Sequence, residues 1–270
     1  MSDAVTRRVR LYPRSDQQLM VGDVGNVQIG GGFIDLDGVR VATRGPVPAH
    51  SQGARVIRNG DRWFALLRVR PTRTKTRSTR AVGLDPGVAR LITTSDNVVY
   101  PHPTATKRLY ALLRLYDSQM HRRTPGSSRY RESERRYERT KQRILAAQVD
   151  HFHKIADEIT GVDGARLIAI EKFVIGPKIR ANERYYRAVL EARWDLLTLI
   201  LKRKAKSRGC VVVDVPPYYT SQTCSNCGYR VKKALEERWH DCPNCRIRLD
   251  RDVNAARNIR QLGIDKLTKR

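Results

Sequence analysis

Two C-x-x-C pairs, Cys224/Cys227 and Cys242/Cys245, stand fourteen residues apart. Each knuckle turns two thiolates toward one point, and two knuckles complete a tetrahedral sulfur site. Gly228 follows the first pair and Pro243 lies inside the second, as tight knuckles allow. The spacing predicts one Zn²⁺ ion. Four thiolates leave no open coordination position, so its role is structural. His240 lies close by but is not needed as a ligand. The fifth cysteine, Cys210, opens the apolar run CVVVDV and reads as an inert core thiol.

A second constellation is acidic. Asp85 ends the apolar run AVGLD, Glu171 ends RLIAIE, and Asp252 begins the last helical segment. In open α/β sheets, sites form at the C-terminal edge of the strands. Three acids meeting there make a site for hard divalent cations. Two Mg²⁺ ions about 4 Å apart activate a water and stabilise the leaving oxygen at a phosphodiester. Each acid also has an ordinary explanation: Asp before Pro-Gly suits a turn, and Asp at a helix start suits a cap. Asp250 competes with Asp252, and Asp214 and Asp96 are further candidates. Spacing alone does not choose among them.

The elements that must position these groups follow from periodicity. Residues 5–12 alternate as a strand does and stop at Pro13. A glycine-rich stretch follows, then strand-like segments at Phe33–Leu36, Val39–Thr43, Ala54–Arg58 and Trp63–Val69, with Asp37-Gly38 and Asn59-Gly60 as hairpin turns. Residues 5–70 read as a small antiparallel barrel or sheet. Further strands are expected at 81–85, 89–94 and 97–100. A long helical hairpin should span Thr104 to Thr160, broken at Thr124–Ser128. A strand at 166–171 precedes one helix over 183–208, whose Tyr186, Val189, Leu190, Trp194, Leu197, Ile200 and Leu201 recur at core spacing. Gly209 ends that helix, a strand at 210–215 follows, and Asp252 to Leu262 is the final helix. Long crossover helices between apolar strands imply an α/β sheet with a parallel part.

The chain has 270 residues, 40 % of them hydrophobic, which is too many for a disordered chain. Its 53 Lys and Arg against 27 acidic residues give a formal charge of +26. Like charges repel in the compact state, so the excess calls for a polyanionic partner, and nucleic acid suits its spread better than a membrane does. No apolar run is long enough for a membrane span, and the polar start Met1–Arg10 is not expected to be a signal peptide. Paired cysteines with metal spacing suit a reducing, cytoplasmic compartment. Residues 68–80 carry Arg68, Arg70, Arg73, Lys75, Arg77 and Arg80 with no acid. They read as a basic linker, solvated or in contact with phosphates.

The segments GLDPGVARLIT (83–93), LIAIEKF (167–173), YTSQTCSNCG (219–228) and CPNCRIRLDRDVNAARNI (242–259) together resemble the transposon-encoded TnpB nucleases and the related type V CRISPR effectors. FHKIADEI (152–159) and the helix with Trp194 fit the same pattern. The likeness is dense over residues 81–262. It implies an α/β RNase H-like (RuvC-like) nuclease domain, 81–218 and 249–270, with an inserted zinc ribbon at 219–248. A small β-barrel (wedge-type) domain at 1–70 and a basic linker at 71–80 precede it. The family's acid triad falls on Asp85, Glu171 and Asp252, because the third acid directly precedes x-Asn-Ala-Ala. The implied activity is Mg²⁺-dependent cutting of double-stranded target DNA under a guide RNA, in a prokaryotic cytoplasm or nucleoid. Tyr219, Thr220 and Ser221 match the motif leading into the ribbon, where a nucleic-acid strand would pass. His153 and Lys154 match a family motif on the helix before Glu171, as packing or as nucleic-acid contacts.

One departure stands out. Family members insert a helical recognition lobe between the opening strand and the rest of the barrel, where this chain has only Leu19 to Gly32. A larger RNA scaffold, a second protomer or a partner chain could replace it. Two other functions therefore stay open at this level: RNA-guided DNA binding without cutting, and a RuvC-type nuclease that acts without RNA.

Overall fold

The computed structural model describes residues 75–172, 180–234 and 237–269, together with the backbone of six strands between residues 19 and 69. The chain divides into two compact units, Met1–Thr72 and Arg73–Arg270.

In the first unit every strand pairing is antiparallel. Strands β1 (Leu19–Val24), β5 (Ser51–Asn59) and β6 (Arg62–Val69) form one sheet in the order β1-β5-β6. Strands β2 (Val27–Gly30), β3 (Phe33–Leu36) and β4 (Val39–Ala42) form a second, a meander. Leu36 pairs with Val39 and Asn59 with Arg62, leaving two residues to connect each pair of ends. The glycine-rich stretch, in which no strand is expected from the sequence, contributes β1 and β2. The expected strand at 5–12 lies outside the described residues.

The second unit is built on a five-stranded mixed sheet in the order β11-β10-β7-β8-β9. Its members are β7 (Ala81–Pro86), β8 (Ile92–Thr94), β9 (Val99–Tyr100), β10 (Leu167–Glu171) and β11 (Val211–Val215). Strands β7, β10 and β11 run parallel, while β8 and β9 return antiparallel. Parallel strands need long crossovers. The first comprises α1 (Thr104–His121) and α2 (Ser128–Thr160), and the second α3 (Glu183–Ala192) and α4 (Trp194–Arg208). The Ser127 hydroxyl caps α2 by accepting from Tyr130 N–H. Gly209, with φ 73°, ends α4.

Residues 183–208 are two helices rather than the single one expected. Arg193 takes a left-handed conformation, φ 50°, and closes α3 while opening α4. The break lets Val189, Ala192, Trp194 and Leu197 all reach the core and leaves Leu190 exposed, against the expectation that it packs inside.

Strand β10 is buried on both faces, as a central parallel strand should be. Ile168 and Ile170 face Phe152 and Ile155 of α2 and Leu197 and Leu201 of α4. Leu167 and Ala169 face the other way, toward Ile259 of α5 (Arg251–Thr268). Small residues let α5 approach. A Cβ on Gly83 would meet the Ala256 carbonyl oxygen at 1.9 Å, and one on Gly263 would meet Ala169 Cβ at 2.4 Å. The helix backbone therefore rests directly on the sheet.

The linker is not free along its length. Thr76 is buried, its N–H donates to the Arg208 carbonyl, and Arg77 N–H donates to the Val162 carbonyl. Between β11 and α5 the chain forms the ribbon, with short antiparallel strands β12 (Trp239–Asp241) and β13 (Arg248–Asp250).

Candidate active site and cysteine ribbon

Ile170 pairs with Leu84, so Glu171, the last residue of β10, and Asp85, the last but one of β7, come next on neighbouring strands. Helix α5 packs across β7 and starts at the same edge. Asp250 and Asp252 separate here. Asp250 is the N-cap: its Oδ1 accepts from the N–H groups of Asp252 and Val253. Its Oδ2 accepts from Arg90 at 2.9 Å. Asp252 lies inside the first turn, with its carboxylate 3.8 Å from Arg90 and 3.7 Å from Arg238. The capping role thus falls to Asp250, which leaves Asp252 beside the strand-end acids. Asp214 is paired with Lys202 at 2.7 Å, and Asp96 with Arg80 at 3.2 Å.

Asp85 feels both of the other acids. Asp85 is raised well above the usual carboxylate range by burial, then by repulsion from Glu171 and Asp252, with Arg251 opposing. Burial also raises Glu171, against a hydrogen bond from Thr220. Asp252 is raised by burial and by Asp250, while Arg238, Arg90 and Arg251 oppose. Burial and like charge favour a proton or a bound cation here; among the described residues the donor atoms of these three acids are not gathered within 4.8 Å of one another as the cysteine sulfurs are.

The four cysteines converge. Their sulfurs all lie within 4.8 Å of one another, with Cys224–Cys245 at 3.6 Å and Cys227–Cys242 at 3.5 Å. A tetrahedron with Zn–S of about 2.3 Å has edges of about 3.8 Å, so the donor set fits zinc. His240 is fully buried, and burial followed by Lys233 pushes its imidazole pKa down. It is not one of the converging donors.

The ribbon is tied to the acid edge by groups that sequence reasoning did not single out. Asn254 is fully buried. Its side chain donates to the Thr223 carbonyl at 2.8 Å and accepts from Ser225 N–H at 2.9 Å. One turn on, Asn258 donates to the carbonyls of Thr220 (2.8 Å) and Thr223 (2.7 Å). Thr220 Oγ1 in turn donates to Glu171 Oε2. Asparagine competes with helix formation, so two of them one turn apart inside a helix are a legible sign of side-chain-to-backbone bonding. Arg90 and Arg238, which flank Asp252, carry no comparable signal.

The expected nucleic-acid residues are distributed unevenly. Thr220 is buried and committed to Glu171, and Ser221 is half-buried. Tyr219 is exposed, has φ 63°, and carries the Arg230 guanidinium over its ring. Lys75, Arg77 and Arg80 are exposed. Arg70 and Arg73 lie outside the described residues. His153 and Lys154 lie on the solvent side of α2, where Lys154 pairs with Asp150 at 2.8 Å and the His153 carbonyl accepts from Lys204.

Fold and site together define a mixed α/β domain with acids at one sheet edge and a four-cysteine ribbon hydrogen-bonded to that edge. Residues 64–181 match the family model OrfB_IS605, described as "Probable transposase", and residues 194–259 match "Cas12f1-like, TNB domain". Over these segments the chain is similar to the TnpB-like proteins. It is 29 % identical over 201 residues to "Putative RNA-guided DNA endonuclease InsQ" of Escherichia coli (strain K12), covering 69 % of this chain and 50 % of that protein. A "Putative RNA-guided DNA endonuclease" of Streptomyces pristinaespiralis is 30 % identical over 225 residues, covering 81 % and 55 %. The fold is that of Cas12f1, solved as a Cas12f1–sgRNA–target DNA complex: TM-score 0.54 at 15 % identity, covering 90 % of this chain and 59 % of that one. The chain spans about half the length of the curated relatives it matches.

Proposed function

We propose that the chain is a compact RNA-guided DNA endonuclease with an RNase H-like, RuvC-like catalytic domain. The observation that carries this reading is that Asp85 and Glu171 follow a paired position of adjacent parallel strands, with Asp252 in the first turn of the helix packed on β7; burial raises each acid, and the other two raise Asp85 further. These three would hold two Mg²⁺ ions. The ions supply a water activated for attack and a counter-charge for the leaving oxygen of a DNA phosphodiester. Arg90 and Arg238 hold the Asp252 carboxylate, and Thr220 orients Glu171. The cysteines would hold one structural Zn²⁺ that keeps the ribbon folded beside the acids.

Guide RNA and double-stranded target DNA are the partners this reading requires, and the +26 charge suits both. In such effectors base pairing reads the target and the protein reads a short flanking motif. Tyr219 and Ser221 flank Thr220, which bonds Glu171, so they would touch a strand that approaches that acid, while Lys75, Arg77 and Arg80 would offer phosphate contacts. The all-antiparallel pairing of β1–β6 supports a wedge-type barrel in the first unit. A second protomer or a larger RNA scaffold would stand in for the recognition lobe, and a prokaryotic cytoplasm is the setting.

The test is purification from the native host, sequencing of bound RNA, and cleavage of a matched duplex with Mg²⁺. A discrete RNA transcribed next to the gene, with cutting abolished by Asp85→Ala, is the expected result. Undiminished cutting by Asp85→Ala overturns the site.

A further inference from the structure

A cleft of about 450 Å³ opens behind the acid edge, between the first cysteine knuckle, the β8–β9 turn and α5. Its walls include Ser225 and Asn226 of the knuckle, Asp96 of the turn, and Arg257, Arg260 and Gln261 of α5. None of Asp85, Glu171 and Asp252 lines it.

Its charge is unbalanced. Asp96 is the acid in the lining, and it is already met by Arg80 at 3.2 Å and Arg260 at 4.0 Å. Arg257, one turn before Arg260, has no ion-pair or hydrogen-bond partner among the described residues. The Ser225 hydroxyl is buried and likewise has no partner, although its backbone N–H is bonded to Asn254. A buried hydroxyl left unpaired is costly unless something else bonds it. The cleft therefore offers a guanidinium without a partner among the described residues, a second one beside it and an unfilled hydroxyl, in a volume typical of small-ligand sites. Its carboxamides are partly used: Gln261 Nε2 donates to Asp265 Oδ1 at 2.9 Å, which leaves its Oε1 for a ligand, and Asn226 also bonds the Cys245 sulfur. Fixed guanidinium forks suit phosphate, and carboxamides suit the polar edges of bases.

We propose that this cleft binds one nucleotide unit, with its phosphate on Arg257 and Arg260 and its base or sugar edge on Asn226, Gln261 and the Ser225 hydroxyl. The unit belongs either to a single strand or to a free mononucleotide. The strand-borne case rests on the nucleic-acid reading above. Asn258, which also lines the cleft, bonds the Thr220 carbonyl, so an occupant lies one residue behind the Thr220–Glu171 contact.

The test uses the full chain carrying Asp85→Ala, so that no strand is consumed and binding is read whether or not the protein cuts. Two probes are titrated: deoxyadenosine monophosphate, followed by ³¹P line broadening against inorganic phosphate, and a labelled ten-nucleotide single strand, followed by anisotropy. Arg257→Ala should weaken the strand about tenfold, lower its salt slope by about 0.7, the contribution of one phosphate, and remove the mononucleotide broadening. Arg131→Ala, which removes the same charge from an exposed position on α2, should change neither. Gln261→Ala should weaken the mononucleotide and leave inorganic phosphate unchanged. An Arg257 effect on the strand alone supports a strand-borne unit, and an effect on the mononucleotide alone supports a free one. Wild-type behaviour of Arg257→Ala with both probes overturns the site. Equal binding of inorganic phosphate and mononucleotide, indifferent to Gln261→Ala, overturns the nucleotide class. Loss of the cleft with cleavage intact in the unmutated acid background leaves the proposed function standing, and the reverse result leaves the cleft standing.

Discussion

Thr220 Oγ1 donates a 2.8 Å hydrogen bond to Glu171 Oε2, and the Thr220 carbonyl accepts from Asn258 of α5. One residue thus ties an acid at the end of β10 to the helix that carries Asp252. Thr220→Val keeps the shape and removes the donor. A hydrogen bond to a charged group is worth about 1.5–3 kcal/mol, so cleavage should fall at least about tenfold and the Mg²⁺ requirement should rise. Thr220→Ser should restore both. Kinetics over a Mg²⁺ series checks this, and a Val variant with an unchanged Mg²⁺ profile counts against the positioning role.

Asp85→Asn should abolish cleavage yet stabilise the metal-free protein at neutral pH. The folded Asp85 binds its proton more tightly than the unfolded chain does, because burial and then Glu171 and Asp252 oppose its charge. The stability it contributes is therefore full below the unfolded carboxyl pKa and is lost as pH rises through the folded one. Asn escapes that loss. The gain in Tm should be a few degrees at pH 7, about 2–4 °C per kcal/mol for a unit of this size, and should vanish near pH 3. Thermal melts of both proteins in EDTA, at matched zinc content, measure it.

Elemental analysis should find one zinc per chain. Cys227→Ala should lose it, unfold the ribbon and reduce cleavage severely through the Asn254, Asn258 and Thr220 bonds. The mixed sheet should survive, since its core clusters draw on α2, α4 and α5. Far-UV circular dichroism with a retained cooperative melt would show this.

Gly83→Ala should be disproportionately damaging for one methyl group. Its Cβ would collide with the Ala256 carbonyl and the Arg260 backbone. Overpacking of this kind costs about 1–3 kcal/mol, and relief requires α5, and with it Asp252, to shift. Both Tm and cleavage should drop, whereas Gly126→Ala, at a glycine whose added Cβ meets nothing within 4 Å but whose φ is 79°, should lower Tm slightly and spare cleavage.

Neutralising Lys75, Arg77 and Arg80 should weaken nucleic-acid binding alike on all sequences. The salt slope should fall by about 0.7–0.9 for each phosphate that is no longer neutralised. Filter binding over a salt series tests it, and an unchanged slope would assign these residues to the solvated surface.

Much of this architecture was legible because it rests on strong local signals. The apolar runs ending at Asp85 and Glu171 are β7 and β10, and the cysteine spacing predicts the sulfur cluster that forms. What escaped depends on contacts between distant segments. Helical periodicity runs unbroken through Arg193, so the left-handed break there is invisible until Ala192 and Trp194 must both reach the core. Asp250 and Asp252 were indistinguishable by spacing, and the capping bonds of Asp250 separate them. Thr220 read as a strand contact because its partner Glu171 is 49 positions away. Strands β1 and β2 hide in a glycine-rich stretch, since their partners supply the pairing that composition does not advertise.

The bare seat of α5 on Gly83 has one more consequence. With no side chain on Gly83 to separate β7 from the Ala256–Arg260 turn, α5 cannot roll about its axis there without driving backbone into backbone. Its angular phase is locked as by an indexing pin. Asp252 in the first turn and Arg257 and Arg260 further on are thus clocked by the same contact. A change that rotates one rotates all, so the acid edge and the cleft behind it must be retuned together.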